Sequence, residues 1–548
     1  MARLGLGAGF GADAARPIGI SKGVEVKKTF SLSMAWLHTW LGLYLGWLLF
    51  AVFLTGTMAV FEHSISHWMQ PEASVNTANA EVSLAQQLDM AQAYLEQHAK
   101  REKGSNWMIA PISENHAALE VRWRVKGEWQ EVLLNPQTGE SVHARETEGG
   151  ALLTHFHYTL LAGLTGTVIV GLAAVVMLVG LISGIVIHKR IFKDFFTFRR
   201  SASAQRSWLD AHNLAGVLIL PFLLMITYTG LVMQPNTFMP WGIKAVYDNP
   251  RDLRADAVQS FEQPYQDTNA DMIRVSSLLP EAEAAIHSIG WLTIQNGGNA
   301  GAVVEFFQNL DRRISAVADH VAFSAVTGQH LGTQTEWRDS TYVYRGFVGI
   351  HMALFGGWVM SWLYFFAGLV SCGLIATGLI LFTIKRRKRP ENEFGSWSKP
   401  VYRLIEALNV TAVMGSINAV LVYFWANRAL PVVMESRAGW EMKAFLFTWL
   451  FSLLHAVLRK PLCAWKEQLC LASILCLVLP VFSWARGAPG IWNFWQQGDG
   501  TSLWFELCLL MFGGLMLLAW GKVKQQLQKP LTAKQTNRQS LRQAQLKA

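Results

Sequence analysis

Eight stretches of this chain are each long and apolar enough to cross a bilayer, whose hydrocarbon core takes about 20 residues of helix. They fall near 33–61, 152–187, 208–234, 346–384, 405–428, 440–458, 467–485 and 502–520. Charged residues are 16% of the 548, against roughly 25% in soluble domains, so a soluble fold has too little polar surface to cover them. The chain is predicted to be a mainly α-helical, multi-pass membrane protein. The five cysteines lie in or beside apolar stretches and form no C-x-x-C, which argues against disulfide stapling, a zinc site and covalently attached haem. The first stretch is too long for a cleaved signal peptide and is followed by a polar run.

Basic residues orient the spans. Lys27 and Lys28 precede the first; Lys189, Arg190, Lys193, Arg199, Arg200 and Arg206 join the second to the third. Lys385 through Arg389 follow the fourth, Arg459, Lys460 and Lys466 join the sixth to the seventh, and Lys522, Lys524, Lys529, Lys534 and Arg538 follow the last. With eight spans all of these lie on one side, which the positive-inside rule makes the cytoplasm. The net charge of +9 is thus an orientation signal and does not imply a nucleic-acid partner.

The chain then divides into a cytoplasmic N-terminal segment (1–32), a first span (33–61), an outer lobe (62–150), a second span (151–190) and a basic loop (191–207). A third span (208–234), a second outer lobe (235–345), a fourth span (346–384) and a basic loop (385–404) follow. An appended four-helix membrane domain (405–520) and a cytoplasmic tail (521–548) complete it. The lobes hold 7 Lys+Arg against 13 Asp+Glu and 8 against 13, and acidic segments of this kind are free to be translocated. Each reads as a small α+β unit, the first with a helix around 83–100, strands around 118–123 and 129–134, and an Asn135-to-Gly139 turn.

An internal repeat carries the functional reading. His38 is followed by Gly42 and by Thr55-Gly56; His212 is followed at the same offsets by Gly216 and Thr229-Gly230. His157 leads to Ser183-Gly184, and His351 leads at the same offsets to Thr377-Gly378; a basic pair then follows each, Lys189-Arg190 and Lys385-Arg386. Residues 33–190 and 207–388 are therefore two copies of one unit (span, outer lobe, span), and the last four spans show no such match. Each histidine is expected about a turn and a half inside the start of its span. That puts His38 and His212 at the cytoplasmic face and His157 and His351 at the outer face, roughly 20–27 Å apart along the helices.

Ionisable residues inside a membrane are costly and usually functional. Two imidazoles facing each other from different helices suit bis-histidine ligation of haem iron, so the four are candidate axial ligands, with His155 an alternative to His157. Gly42, Gly216, Gly163, Gly166, Gly356 and Gly357 would leave room for a flat macrocycle, or equally would pack helices closely. His188 reads as a headgroup residue, His63 and His67 as a solvated helix face, and His455 as a packing residue. His98, His116, His143, His287, His320 and His330 form no ligand pattern, and tryptophans at span ends read as an interfacial belt.

The run Leu37-His38-Thr39-Trp40-Leu41-Gly42 with Thr55-Gly56, His67-Trp68-Met69 and Pro71-Glu72 resembles the first span of the PepSY-associated transmembrane family. Phe156-His157-Tyr158, Trp208 through Asn213 with Pro221-Phe222 and Thr229-Gly230, and His351 through Trp358 with Thr377-Gly378 resemble its later spans, over about residues 30–390. The resemblance implies PepSY-like periplasmic lobes, a bacterial inner membrane with both termini cytoplasmic, and two non-covalent haem b groups at the four histidines. It further implies reduction of a ferric siderophore or other Fe(III) chelate in the periplasm during iron uptake. No glycine-rich nucleotide fingerprint follows a strand, so the electron donor is expected to be separate, on the cytoplasmic side or a quinol. Rival readings are an iron or siderophore transporter and a non-enzymatic sensor, but the sensor leaves the paired histidines unexplained. The last four spans lie outside the resemblance, and their sequence assigns them no role.

Overall fold

A computed structural model describes residues 30–73, 82–99, 102–112, 118–125, 128–188, 204–310, 313–388 and 393–528. Lys27, Lys28, Lys189, Arg190, Lys193, Arg199, Arg200, Arg389, Lys529, Lys534, Arg538 and His116 lie outside them.

The first half comprises α1 (Phe30–Ala59), α2 (Glu62–Met69), α3 (Leu84–His98), β1 (Asn106–Ala110), β2 (Leu119–Val125), β3 (Glu128–Leu134), α4 (Ala151–Thr159) and α5 (Gly163–Ile187). The second comprises α6 (Ala204–Leu218), α7 (Leu220–Val232), the short α8 (Pro235–Phe238), α9 (Pro240–Lys244) and α10 (Pro250–Ala257), and α11 (Leu279–Ile286). It continues through β4 (Ile289–Gln295), β5 (Val303–Gln308), β6 (His320–Ser324), β7 (His330–Gln334), α12 (Asp339–Met352) and α13 (Gly357–Lys388). The C-terminal third holds α14 (Ser398–Val410), a π turn (Thr411–Gly415), α15 (Ser416–Ala429), α16 (Arg437–Leu458), α17 (Pro461–Ala485), α18 (Ile491–Gln497) and α19 (Gly500–Gln528). Among the described residues seven helices are long and apolar enough to cross a membrane, and α6 with α7 makes an eighth if taken as one span. Those two meet at 63°, where Pro221 in the first turn of α7 lacks the N–H that would continue the helix.

Two expectations are corrected. The second and fourth spans are each two helices, not one. The first break is made by Leu160, Leu161 and Gly163 and the second by Ala353, Gly356 and Gly357, all with positive φ. His157 and His351 therefore sit near the ends of the short helices α4 and α12, not just inside the starts of α5 and α13.

The two lobes also do not remain separate units. Their strands form one antiparallel sheet in the order β3-β2-β1-β4-β5-β6-β7, joined where Trp107 of β1 pairs with Ile294 of β4. An isolated lobe would expose β1 or β4 as an edge with unpaired N–H and C=O groups, and each edge satisfies the other. Helices α3 and α11 cover one face with a common core that includes Leu88, Leu95, Ile109, Val121, Val304, Phe306 and Phe323. A capping box at Ser83 and Gln86 starts α3. Gln92 of α3 then ties the lobes together, donating to the Ile273 carbonyl (3.0 Å) and accepting from the Val275 amide (2.8 Å).

The C-terminal helices share one buried core with the repeat. Leu43, Phe50, Leu379 and Phe382 pack in it with Met414, Phe424, Phe445 and Leu509. Trp47 donates to Asn409 (2.7 Å), and Asn409 donates to the Leu379 carbonyl (3.1 Å). At the sheet end, fully buried Arg437 pairs with fully buried Glu441, which also accepts from Asn427 (2.9 Å) and from Thr147 (2.5 Å) of the segment leaving the sheet.

Candidate cofactor site: two histidine pairs

The four repeat histidines meet in twos, each pair taking one member from each half. The rings of His38 (α1) and His212 (α6) have centroids 6.3 Å apart, and those of His157 (α4) and His351 (α12) 6.2 Å apart. Two imidazoles bound on opposite sides of one metal at about 2.0–2.1 Å each would hold their centroids roughly 6–6.5 Å apart. Along α1, His38 lies about 21 Å from Val52 and about 27 Å from Gly56, the two residues that contact His157, so the pairs occupy two depths.

Every ring is oriented through Nδ1. His38 donates to the Gly180 carbonyl (2.9 Å) beside Ser183 Oγ (3.2 Å), and His212 donates to the Leu374 carbonyl (3.1 Å) beside Thr377 Oγ1 (3.1 Å). His157 donates to the Val52 carbonyl (2.8 Å). His351 donates to Thr229 Oγ1 (3.0 Å), whose own proton goes to the Met225 carbonyl (2.8 Å). Carbonyl oxygens only accept, so Nδ1 carries the proton and Nε2 is left with its lone pair. Orientation of a ligating histidine through its other nitrogen is the usual second layer of a metal site. No hydrogen bond to these four Nε2 atoms is present among the described residues, nor any cluster of three or more His, Cys, Asp or Glu suited to a bare metal ion.

The repeated Ser/Thr-Gly dipeptides now have a physical reason. Gly56, Gly230, Gly184 and Gly378 lie against His157, His351, His38 and His212 respectively, where a Cβ would press on the ring. Their constant offset from the histidines is the signal of this contact in the sequence. Of the glycines expected to make room, Gly42 and Gly216 line a cavity of about 420 Å³ around His38 and His212, within the usual range for small-molecule sites. Gly163, Gly356 and Gly357 instead make the helix breaks, and a Cβ on Gly166 would strike the Thr159 carbonyl.

The other histidines separate clearly. His155 is exposed, its ring edge-on to Tyr158 at 5.9 Å, so α4 points it away from the pair. His188 lines the His38–His212 cavity, with Lys385 and Arg386, where a headgroup position was expected. His67 contacts Asp499 at 3.0 Å with its side chain 14% exposed, which corrects the solvated-face reading. His455 packs against Glu467 (2.9 Å) and Gln468 (3.2 Å).

A model of the PepSY-associated TM region matches residues 35–386, which hold both histidine pairs and every dipeptide that orients them. The chain belongs to that family. The PepSY-associated TM region ends at Arg386, before α14, so helices α14–α19 lie beyond it. An uncharacterised protein of Pseudomonas aeruginosa, PA4219, is 25% identical over 393 residues, which are 67% of this chain and 94% of that protein.

Proposed function

We propose that the chain is a haem-containing oxidoreductase of a bacterial inner membrane. It passes single electrons to Fe(III) held in a chelate, such as a ferric siderophore, on the sheet side, which is the periplasm when the basic segments face the cytoplasm. One observation carries the reading: four imidazoles, two from each half, meet at two depths with Nδ1 engaged and Nε2 not. His38 with His212, and His157 with His351, would each hold one non-covalent haem b. Lys385 at the His38–His212 cavity suits a carboxylate of the macrocycle, and Arg386 beside it, paired with Glu393 through Nε and Nη2 (3.0 Å), has only Nη1 left to offer.

Haem, when bound, supplies reversible one-electron chemistry, and two imidazole ligands leave its iron no open position for oxygen. The rest falls to the chain. Carbonyls and hydroxyls hold each imidazole in one tautomer, glycines admit the rings, and apolar side chains such as Leu49, Met177 and Leu223 keep the space between the levels dry. No nucleophile or general acid is needed, because chelates that bind Fe(III) tightly hold Fe(II) weakly. The donor, on the cytoplasmic side or a quinol, is a separate molecule.

The test is an absorption spectrum of the detergent-purified protein, oxidised and dithionite-reduced, with haem stoichiometry. A reducible b-type spectrum approaching two haems per chain is expected. A colourless protein after expression with ample haem overturns the reading and leaves a transporter or a sensor.

A further inference from the structure

A second cavity, of about 490 Å³, lies between the repeat and the C-terminal helices. Its walls are almost wholly apolar and strongly aromatic, with Phe61, Trp362, Phe365, Phe424, Trp504 and Phe505 among them. It extends from Phe50 and Cys372 within the bundle to Ser64 and Thr501 at the sheet end. Trp358 and Trp504 are 75% and 60% exposed, so this side opens to the bilayer.

Protonatable groups stand at its sheet end. His67 and Asp499 are in contact at 3.0 Å, on either side of the junction between α2 and α19, and Ser64, Gly500 and Thr501 beside them line the cavity. Trp68 packs on the wall residues Phe505 and Phe424, with ring centroids at 4.4 and 5.9 Å. Behind it, the Trp68 indole donates to buried Glu506 (3.4 Å), whose second oxygen has no partner among the described residues, and the Arg428 guanidinium lies 4.1 Å from the ring. A greasy cavity alone fits an acyl chain. Acidic and basic groups buried behind one aromatic layer are costly, and ionisable groups kept in a membrane are functional by default, proton relays among their roles.

We infer that this cavity binds the ring of an isoprenoid quinol and that the His67–Asp499 pair takes up its protons. The inference rests on the proposed function and gives helices α14–α19 a role in it. The quinol becomes quinone by losing two protons, to the pair and onward to water, and two electrons, one at a time, to the acceptor held at the His157–His351 level. Leu54 and Met58 of α1 line the cavity while Gly56 touches His157, so donor and acceptor are separated by about one helix width, on the order of 10–12 Å. Each Fe(III) takes one electron and a quinol gives two. A group held by His38 and His212 would supply the store that this mismatch requires, and one quinol would then serve two Fe(III).

Decylubiquinone added to the full-length protein in detergent should quench the cavity's tryptophan fluorescence saturably, with or without haem bound. Filling the cavity by Cys508→Phe, or by the milder Ser64→Leu, should abolish the saturable part, while excess phosphatidylethanolamine should not displace the quinone. In haem-loaded protein, Asp499→Asn should leave quinone binding intact and slow haem reduction by decylubiquinol. Absence of saturable quenching, quenching that survives both filling variants, or displacement by phospholipid overturns the inference. Saturable quenching in a protein that never takes up haem would keep the cavity's ligand and sink the proposed function instead.

Discussion

A Cβ on Gly56 would lie 2.5 Å from Nδ1 of His157, closer than any side chain tolerates. The glycine of α1 thus sets how near the imidazole of α4 can come, and Gly230 does the same for His351 at 2.9 Å from Cε1. At the other level Gly184 and Gly378 leave 3.3 Å to the rings of His38 and His212, which a small shift absorbs. Gly56→Ala and Gly230→Ala should therefore lose one of two haems, whereas Gly184→Ala and Gly378→Ala should keep both. Haem-to-protein ratios of the four variants check this, and equal loss at all four sites would refute it.

Ligand pairing makes a sharper test. His38→Ala or His212→Ala should remove one haem and leave the other spectrally intact, and His157→Ala or His351→Ala should do the converse. His155→Ala should change nothing, because that ring is exposed on the other side of α4. Redox titration should then show one midpoint where the parent shows two. Loss of a haem in His155→Ala, with both retained in His157→Ala, would reverse the assignment.

The sheet carries a pH dependence of its own. Burial first, then the charge of Glu262, raises Glu305 to about 7. Burial also lowers His320, whose Nε2 lies 3.3 Å from the Glu305 carboxyl, so the site disfavours the charged form of both groups. A raised carboxyl stabilises the fold below its unfolded value and loses that contribution as pH rises through 7. At most about 3 kcal/mol is at stake, and His320 opposes the trend on the acid side. Glu305→Gln should flatten the fall in melting temperature between about pH 5 and pH 8, measured on the whole protein in detergent. An unchanged slope would rule Glu305 out as its source.

At the junction with the C-terminal helices, Glu441→Ala should strand Arg437 without its carboxylate in a fully buried setting and cost about 3–5 kcal/mol. Replacing both residues by leucine and methionine should cost much less, since no lone charge remains. Thermal unfolding of the two variants separates these outcomes.

Much of this arrangement was legible in the residues. Helix positions followed from apolar runs, and the pairing of His38 with His212 and of His157 with His351 followed from repeat offsets and span direction. What escaped depends on contacts between distant segments. Gly163 and Gly356 in an apolar run read as space inside a helix, although their positive φ ends one. The joining of β1 to β4 is invisible because either strand reads as well for an edge as for a centre. The environment of His67 depends on Asp499, which no local pattern connects to it.

The single sheet has a mechanical consequence. Its two outermost strands, β3 and β7, lead into the helices that carry His157 and His351. Those strands stand six steps apart, roughly 29 Å at about 4.8 Å per step, yet the rings they lead to are 6.2 Å apart. The sheet thus acts as a yoke: both arms are rooted in one continuous frame, so the meeting of the two imidazoles depends on the two lobes being joined through β1 and β4.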